Sequence, residues 1–382
     1  MSADLQGLGT RIRRFREQIG YAELESVAAR AGISVEVFNA IEQGQVSPSL
    51  VELSRIAHSI GADLDNLLRP PGQESDAAQR PVRFRRIPDR FPIGEPAALE
   101  LNPDDARLLS LAAQVGRIGA ALRGELNESS GLLLEMGSTP LSAGMAAWGQ
   151  GDLLGVAARE AYLPQRAPLM SVQGALEGLG VHIALVEFRD PDIEGASVFE
   201  PGALPVILLN RGAERVQDRW PRRALIAHEF CHLLHDFTDQ PTETMVSHRG
   251  ARRPEEQRAN AFAPSFLAPP AWVRLSGDDL VRLTRRLVEK WYFTVEGACW
   301  HAKNILGLDD GVAVAGMDFL HSRVKRSGLA EGSSFPARSI PFLDEEITPS
   351  NLVQGLIADL TWRAWRAGVI SQGRAREIWS IE

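Results

Sequence analysis

Residues 227–236 have the sequence AHEFCHLLHD and carry the most informative pattern in the chain. His228 and His232 are four positions apart, so on a helix both imidazoles lie on one face and can bind one ion. Glu229 is the next residue around the helix, where its carboxylate can reach a water held by the metal but not easily the metal itself. Two neutral nitrogens and one carboxylate would leave the fourth position of tetrahedral Zn²⁺ open. The pattern predicts a zinc site with Glu229 as general base.

The third metal ligand has to come from another segment, because position 238 is Thr238 and not the histidine of a metzincin site. Glu255 and Glu256 open a predicted helix over 254–267, and a carboxylate there can point toward the histidine pair. Both acids are also typical of a helix N-terminus that binds no metal. Glu256, Glu255 and His248 are the candidates for the third ligand.

Two further residues of this stretch have an open role. His235 lies three residues beyond His232 and is either an outer-shell partner of the site or a histidine at the helix end. Cys231 is either a core thiol, which is the usual behaviour of a buried cysteine, or a sensor of oxidation or metal state.

The spacing within residues 256–269 makes a family resemblance specific. The stretch reads EQRANAFA over 256–263, followed by Phe266, Leu267 and Pro269. Together with the upstream HExxH pattern, it resembles the ImmA/IrrE family of metallopeptidases over about 155–307. The resemblance implies a zincin-like core, Zn²⁺ held by His228, His232 and Glu256, and Glu229 as the base. Pro264 departs from the family pattern and is expected to kink the second ligand helix.

The first 70 residues have a different character. Leu8, Ile12, Phe15 and Ile19 form an apolar stripe at helical spacing, and the segment 5–69 predicts five short helices. Motifs such as IRRFRE (12–17), AARAGIS (28–34) and IEQG (41–44) resemble the XRE, or lambda-repressor-like, helix-turn-helix family. The resemblance implies that the third helix enters the major groove of DNA. The implied reading residues are Ser34, Val35, Glu36 and Asn39, with Ser26 nearby, and Arg13 is expected to contact phosphate.

The charge of this module is unusual for DNA binding. Residues 1–70 hold seven arginines against nine acidic residues, and the whole chain holds 41 basic against 49 acidic residues, a net charge of −8. Such a balance excludes a global basic field that would hold nucleic acid. Weak binding by a monomer would be compensated by a homodimer on a palindromic operator, or by the five arginines between positions 80 and 90. A protein-interaction role for the module is the alternative.

The organisation of the remaining chain follows from composition and periodicity. We expect a linker over 71–98 and a helical connecting region over 99–154, with a loop at 136–151. The peptidase-like domain follows over 155–308, and a helical region over 309–382. Apolar runs at 181–188 and 204–210 predict strands. The fold class is therefore mainly α with a small β-sheet (α+β). A partner strand is expected to pair with the sheet edge near 206–210.

The chain has two cysteines, no apolar signal segment and no membrane-spanning run, so we expect a cytoplasmic protein without membrane contact. The resemblances together imply a regulatory zinc endopeptidase that binds a DNA operator and cleaves a protein substrate, such as a helix-turn-helix repressor or antitoxin. One alternative is a transcriptional regulator whose peptidase-like domain senses a ligand or stress without proteolysis. Another is an antitoxin-like binding module.

Overall fold

The computed structural model describes residues 5–18, 24–60, 62, 67–68, 82–86, 102–128, 134–237, 242–248, 253–326 and 351–381. Most of these residues are helical, and the strands form one small sheet, in agreement with the predicted class. The helices are α1 (Leu5–Gln18), α2 (Leu24–Ala31), α3 (Val35–Glu42), α4 (Leu50–Ser59), α5 (Pro103–Glu125), α6 (Ala147–Tyr162), α7 (Val172–Gly178), α8 (Glu214–Gln217), α9 (Arg219–His235), α10 (Pro254–Leu267), α11 (Pro270–Val273), α12 (Leu280–Trp291), α13 (Val295–Leu306), α14 (Asp310–Arg326), α15 (Gly355–Arg366) and α16 (Gln372–Trp379). The strands are β1 (Val82–Arg86), β2 (His182–Val186), β3 (Ile193–Phe199), β4 (Val206–Asn210) and β5 (Thr242–His248).

The sheet has the order β1-β5-β3-β4-β2. β2 is parallel to β4, β3 is antiparallel to both β4 and β5, and β1 is parallel to β5. The predicted strands at 181–188 and 204–210 are confirmed as β2 and β4. The prediction that a partner strand pairs near 206–210 is wrong, because β4 lies inside the sheet with β2 and β3 on its two sides. The predicted linker 71–98 contains β1, which pairs with a strand that follows α9.

Both faces of the central strands are buried under helices. Alternate side chains of β2 and β4 belong to two hydrophobic clusters, as expected from the two-residue period of a strand. One cluster includes α7, α9 and α10 together with Ile183, Leu185, Ile207 and Leu209. The other includes α5 and α15 together with Ala184, Val186, Val206 and Leu208. Burial on both faces explains why these strands read as continuous apolar runs.

Helices α1–α4 form the N-terminal module. Ser34 caps α3 by accepting a hydrogen bond from the Val37 amide at 3.3 Å, as its position predicts. Arg16 of α1 and Glu42 of α3 form a buried ion pair, with 2.7 Å between Nε and Oε1. Gly9 is required where these helices cross, because a Cβ there would collide with the Glu42 carbonyl. Of the fifth helix, predicted from near Asp63, only residues 67–68 are described, and both are helical.

Helix α6 packs on α10 through two glycines. A Cβ at Gly151 would collide with the Arg258 carbonyl, and one at Gly155 with the Phe262 carbonyl, so only glycine allows this close approach. The predicted loop at 136–151 is wrong over its last five residues, because α6 begins at Ala147. The predicted domain boundary between 154 and 155 falls inside this helix.

The C-terminal region is helical where it is described. The apolar run at 312–320 is part of α14, and Ser371 caps α16 as its position predicts. No helix in the described part of the chain is both long and apolar enough to span a bilayer.

Candidate metal centre and DNA-reading face

Two helices bring the predicted ligands together. α9 supplies His228 and His232, and the first turn of α10 supplies Glu256. The Nε2 atoms of His228 and His232 lie 3.1 Å apart. One carboxylate oxygen of Glu256 lies 3.1 Å from Nε2 of His228, and the other lies 3.2 Å from Nε2 of His232. All three side chains are buried. They form the group of potential metal ligands found among the described residues.

The outer ring nitrogens of both histidines are held by acceptors. Nδ1 of His228 lies 3.1 Å from Oδ1 of Asn260, and Nδ1 of His232 lies 2.7 Å from a carboxylate oxygen of Asp236. Each Nδ1 therefore carries a proton, and in the neutral imidazole the lone pair is on Nε2. Two lone pairs and a carboxylate thus face one another in a buried space. Such a convergence of electron pairs is stable only around a cation.

The donor set fits Zn²⁺. Ligand atoms at about 2.0–2.1 Å from zinc, at tetrahedral angles, lie about 3.3 Å from one another. The observed separations of 3.1–3.2 Å are close to that value. Nitrogen and carboxylate donors in this ratio are also the set found in catalytic zinc sites.

The electrostatics of the site also favour a cation. Burial by itself lowers the pKa of His232, but Glu256 and Asp236 outweigh burial and raise that pKa well above its ordinary value. Burial raises the pKa of Glu256, whereas the two histidines lower it, and the net pKa is far below that of a free glutamate. The cluster therefore attracts positive charge at its centre.

An ion pair between Arg258 and Asp236 supports the ligand His232. Arg258, which is buried, donates to the Asp236 carboxylate and to the Thr139 carbonyl, the latter at 2.6 Å. Asp236 thus bridges His232 and Arg258. Burial raises the pKa of Asp236, but the bonds to His232 and Arg258 lower it further than burial raises it. The carboxylate stays ionised and fixes the ring of His232.

Glu229 projects from α9 toward β3. Its carboxylate accepts a 2.7 Å hydrogen bond from the Ser197 hydroxyl, and the same hydroxyl lies 3.0 Å from the Glu229 carbonyl. Gly195 on the same strand leaves room for this carboxylate, because a Cβ there would lie 2.8 Å from Oε1. Glu229 has no exposed surface. Glu229 therefore directly follows His228 on α9, as predicted, and its carboxylate is buried against β3.

The other predicted residues of this region have different surroundings. His235 is not part of the ligand group. Its Nδ1 lies 3.0 Å from the Thr139 hydroxyl, and burial lowers its pKa to about 4. Cys231 is fully buried, and burial raises the pKa of its thiol well above the ordinary value, which disfavours the reactive thiolate. The side chain of His248 lies outside the described part of the chain.

The predicted DNA-reading residues lie around the start of α3. Ser34 and Glu36 are exposed, and Val35 and Asn39 are half-buried. Gln43 donates a 3.1 Å hydrogen bond to Oδ1 of Asn39. The side chain of Ser26 lies outside the described residues.

The arginines of α1 differ in their availability to phosphate. Nε of Arg13 lies 3.5 Å from the Glu42 carboxylate, while about half of its side chain is exposed. Arg11 is directed to the Leu67 carbonyl at 3.0 Å. Arg14 is exposed. α3 itself contains no lysine or arginine.

Four residues of the metal centre had no predicted role: Asp236, Asn260, Ser197 and Gly195. The signal for the first two was present, because Asp236 is four residues after His232, and Asn260 is four after Glu256. Ser197 and Gly195 lie on β3, which the apolar pattern did not reveal, so no sequence signal placed them near Glu229.

Comparison with known proteins gives a match for the N-terminal module and none for the region of the metal-ligand cluster. A family model described as a helix-turn-helix domain matches residues 7–69. No curated protein and no solved structure matches the chain. The N-terminal module is therefore a helix-turn-helix domain of XRE-like type, and it indicates a DNA-binding regulator.

Proposed function

We propose that this DNA-binding regulator carries a zinc-dependent endopeptidase centre, of the type found in the ImmA/IrrE family, that acts on a protein substrate. The observation that carries the proposal is the ligand geometry. Two Nε2 atoms and one carboxylate converge within 3.1–3.2 Å while both Nδ1 atoms are held by acceptors. Without metal, a proton on His232 compensates the carboxylates of Glu256 and Asp236, which raise its pKa, and a bound metal ion would take the place of that proton.

In the proposed peptide hydrolysis, each residue of the site has a separate role. His228, His232 and Glu256 would hold the ion, which when bound supplies Lewis acidity toward a carbonyl and activates water. Asn260 and Asp236 keep the imidazoles in the orientation that binding requires. Glu229 accepts a proton from the attacking water and returns it to the leaving amine. The Ser197 hydroxyl keeps the Glu229 carboxylate in place for both transfers.

Glu229 and His232 are buried although His228 lines an adjacent cavity, so the activity we propose is conditional. Glu229 and His232 have no exposed surface, and His228 is only 5% exposed. A peptide bond has to lie about 3 Å from the reacting groups before water attack is possible. Substrate binding or an inducing signal must therefore expose the Glu229 carboxylate. A helix-turn-helix repressor or antitoxin is the substrate class that we propose.

The burial of Glu229 favours a second candidate function. In the alternative, the same centre binds metal but cleaves nothing, and the domain acts as a ligand or stress sensor that changes DNA binding. The hydrogen bond from Ser197 then has only a structural role. In this alternative the metal ligands are required but the Glu229 base is not. A single substitution at Glu229 therefore distinguishes the two functions.

The test compares zinc-loaded wild type with Glu229→Gln, each incubated with a panel of helix-turn-helix repressors from the same genome. Glutamine has the same shape but cannot take a proton, so zinc content should be unchanged and cleavage abolished. Mass spectrometry of new peptide termini should show one discrete cut with wild type only. Equal zinc in both proteins and intact repressors with both, under inducing conditions, would favour the sensor.

A further inference from the structure

Helix α3 of the helix-turn-helix module has one buried and one accessible face. Three of its residues are buried on the inner side: Phe38, Ile41 and Glu42. At 100° per residue, Glu36 and Ala40 lie on the opposite side of the helix, and Val37 and Asn39 lie on its two flanks. Glu36 and Val37 are exposed, whereas Asn39 and Ala40 are half-buried. In a helix-turn-helix domain this accessible face of the third helix enters the major groove.

Val37 is an apolar side chain on this accessible face, with 37% of its surface exposed. Ala40 follows three positions later, so its methyl group lies beside the Val37 side chain on the surface of the helix. The two residues form an apolar strip next to the carboxylate of Glu36. Among the groups that base pairs present in the major groove, the 5-methyl group of thymine is the apolar one. The apolar strip therefore matches thymine.

The charged groups of α3 disfavour guanine. The helix contains no lysine or arginine, the side chains that most often bind O6 and N7 of guanine. Hydrogen bonds from the Glu36 amide and from Ser34 lower the pKa of the Glu36 carboxyl below its ordinary value. Glu36 is therefore ionised at neutral pH, and its carboxylate would be repelled by the two acceptors of guanine. It can accept a hydrogen bond from the amino group of cytosine or adenine.

The amide side chain on the other flank of α3 suits adenine. Gln45 donates to Gln43 at 2.8 Å, and Gln43 donates to Oδ1 of Asn39 at 3.1 Å. These bonds hold the Asn39 amide in one orientation, which reduces the entropy lost when it binds a base. An asparagine binds N6 and N7 of adenine with two hydrogen bonds, and Oδ1 has a second lone pair for N6–H. Because Val37 and Asn39 lie on opposite flanks, they would contact different base pairs.

We propose that α3 reads A·T pairs, and that Val37 is a specificity-determining residue that recognises thymine by its 5-methyl group. The methyl group would pack on Val37 and Ala40, while Asn39 binds the adenine of a neighbouring pair. Phosphate contacts by the arginines of α1 would supply the affinity that an uncharged contact cannot. The inference concerns the helix-turn-helix module and does not depend on the metal centre or on the proposed peptidase activity.

The first test removes the methyl group from the DNA and leaves the protein intact. The full-length chain selects its operator from random duplex DNA, and each thymine of that operator is then replaced by uracil, which pairs in the same way but lacks the 5-methyl group. We expect an operator rich in A·T pairs, in which uracil at one or more positions weakens binding by about fourfold, the effect of exposing one buried methylene-sized group. Fluorescence anisotropy at fixed salt measures the change. An operator in which only G·C pairs are required, or uracil without effect at every position, would overturn the proposal.

The second test removes the partner of that methyl group from the protein. Val37→Ala should bind the thymine operator and the sensitive uracil operator with equal affinity, because the contact that distinguishes them is lost. A variant that is only less stable would bind both more weakly and keep the fourfold preference, and a preference kept in Val37→Ala would overturn the role of Val37. Val314→Ala on α14 makes the same exchange at an exposed valine outside the module, so its thymine preference should equal that of wild type.

Discussion

The helix-turn-helix module and the metal centre differ in what supports each of them. The module has a family match over residues 7–69, yet α3 carries no basic residue and Arg13 lies near Glu42. The candidate metal centre has no family or structural match, yet its three predicted ligands meet within 3.2 Å. A matched fold therefore comes with an incomplete binding face, and an unmatched region comes with a complete ligand set.

The difference teaches that fold evidence and site evidence are independent. A helix-turn-helix fold depends on a buried core and on helix crossings such as the one at Gly9, none of which touches DNA. A metal site depends on a few atoms at fixed distances, and their chemistry is decisive even where the surrounding chain has no match. The two regions can therefore be tested by separate substitutions.

The largest effect is expected at the third ligand. Glu256→Ala removes the only carboxylate among the three clustered ligands, so two neutral nitrogens remain to bind the ion. Zinc content, measured by elemental analysis of the purified protein, should fall from about one ion per chain, the stoichiometry of a three-ligand site, to near zero.

The matched control for this prediction is Glu255→Ala, the neighbouring acid in the first turn of α10. It should retain zinc, because its carboxylate is not in the ligand group. The opposite result, zinc lost in Glu255→Ala and kept in Glu256→Ala, would exchange the roles of the two acids. Zinc kept in both variants would point to His248.

The next largest effect is expected in the N-terminal module. Glu42→Gln removes the buried counter-charge of Arg16 and leaves the exposed Glu17 carboxylate 3.9 Å away, and breaking a buried ion pair typically costs about 3–5 kcal/mol. Hydrogen exchange of α1–α3, followed by mass spectrometry, should show a corresponding loss of protection.

Two controls isolate this effect. All eight tryptophans lie at position 148 or later, so the urea transition of tryptophan fluorescence should be almost unchanged by Glu42→Gln. An Arg16→Met/Glu42→Leu double variant should recover most of the lost protection, because apolar pairs often replace buried ion pairs well. A double variant as unstable as the single one would show that other contacts of Glu42 matter more than the pair.

The features that the sequence revealed are those encoded over a few residues. The bounds of α10 follow from local periodicity and from Pro254 at its first position. His228 and His232 could be assigned because four residues make one helical turn. The choice of Glu256 over Glu255 required the family resemblance, because spacing alone does not orient α10 toward α9.

The features that the sequence did not reveal depend on distant partners. β1 and β5 lie in polar segments and become strands through pairing with each other and with β3, which local patterns cannot show. The start of α6 was hidden by Gly149 and Gly151, residues that usually indicate a loop. Gly151 is required by the close approach of Arg258, which lies more than one hundred positions away.

A smaller effect is expected from the residue that orients His232. Asp236→Asn keeps the shape of the side chain but removes the charge that stabilises the imidazole and pairs with Arg258. Loss of such an outer partner typically weakens metal binding by about 10- to 100-fold. Competition with a fluorescent zinc chelator measures the change.

His235→Gln is the matched control for Asp236→Asn, because His235 is adjacent but bonds to Thr139 instead of a ligand. Its zinc affinity should remain within about threefold of wild type, which is less than the smallest effect of an outer partner. Equal losses in the two variants would indicate that the end of α9 tolerates no change, and the specific role of Asp236 would then be contradicted.

The smallest effect is expected on the DNA-reading face of α3, which contains no lysine or arginine. Asn39→Ala should lower the preference for a selected operator over scrambled DNA by about 10-fold, the scale of one amide–base contact. Its affinity for scrambled DNA should not change, because Asn39 carries no charge for phosphate. The operator is first selected from random DNA with the full-length chain, and fluorescence anisotropy then measures both affinities at several salt concentrations.

Arg13→Ala separates reading from phosphate binding in the same assay. Its guanidinium is about half exposed and is shared with Glu42, so removing it should weaken binding to both DNAs alike. The slope of log affinity against log salt should fall by about one, since one phosphate contact is lost. If Asn39→Ala instead weakens both DNAs equally, α3 does not read bases. The module would then be an interaction domain, and the metal centre would be the more complete of the two sites.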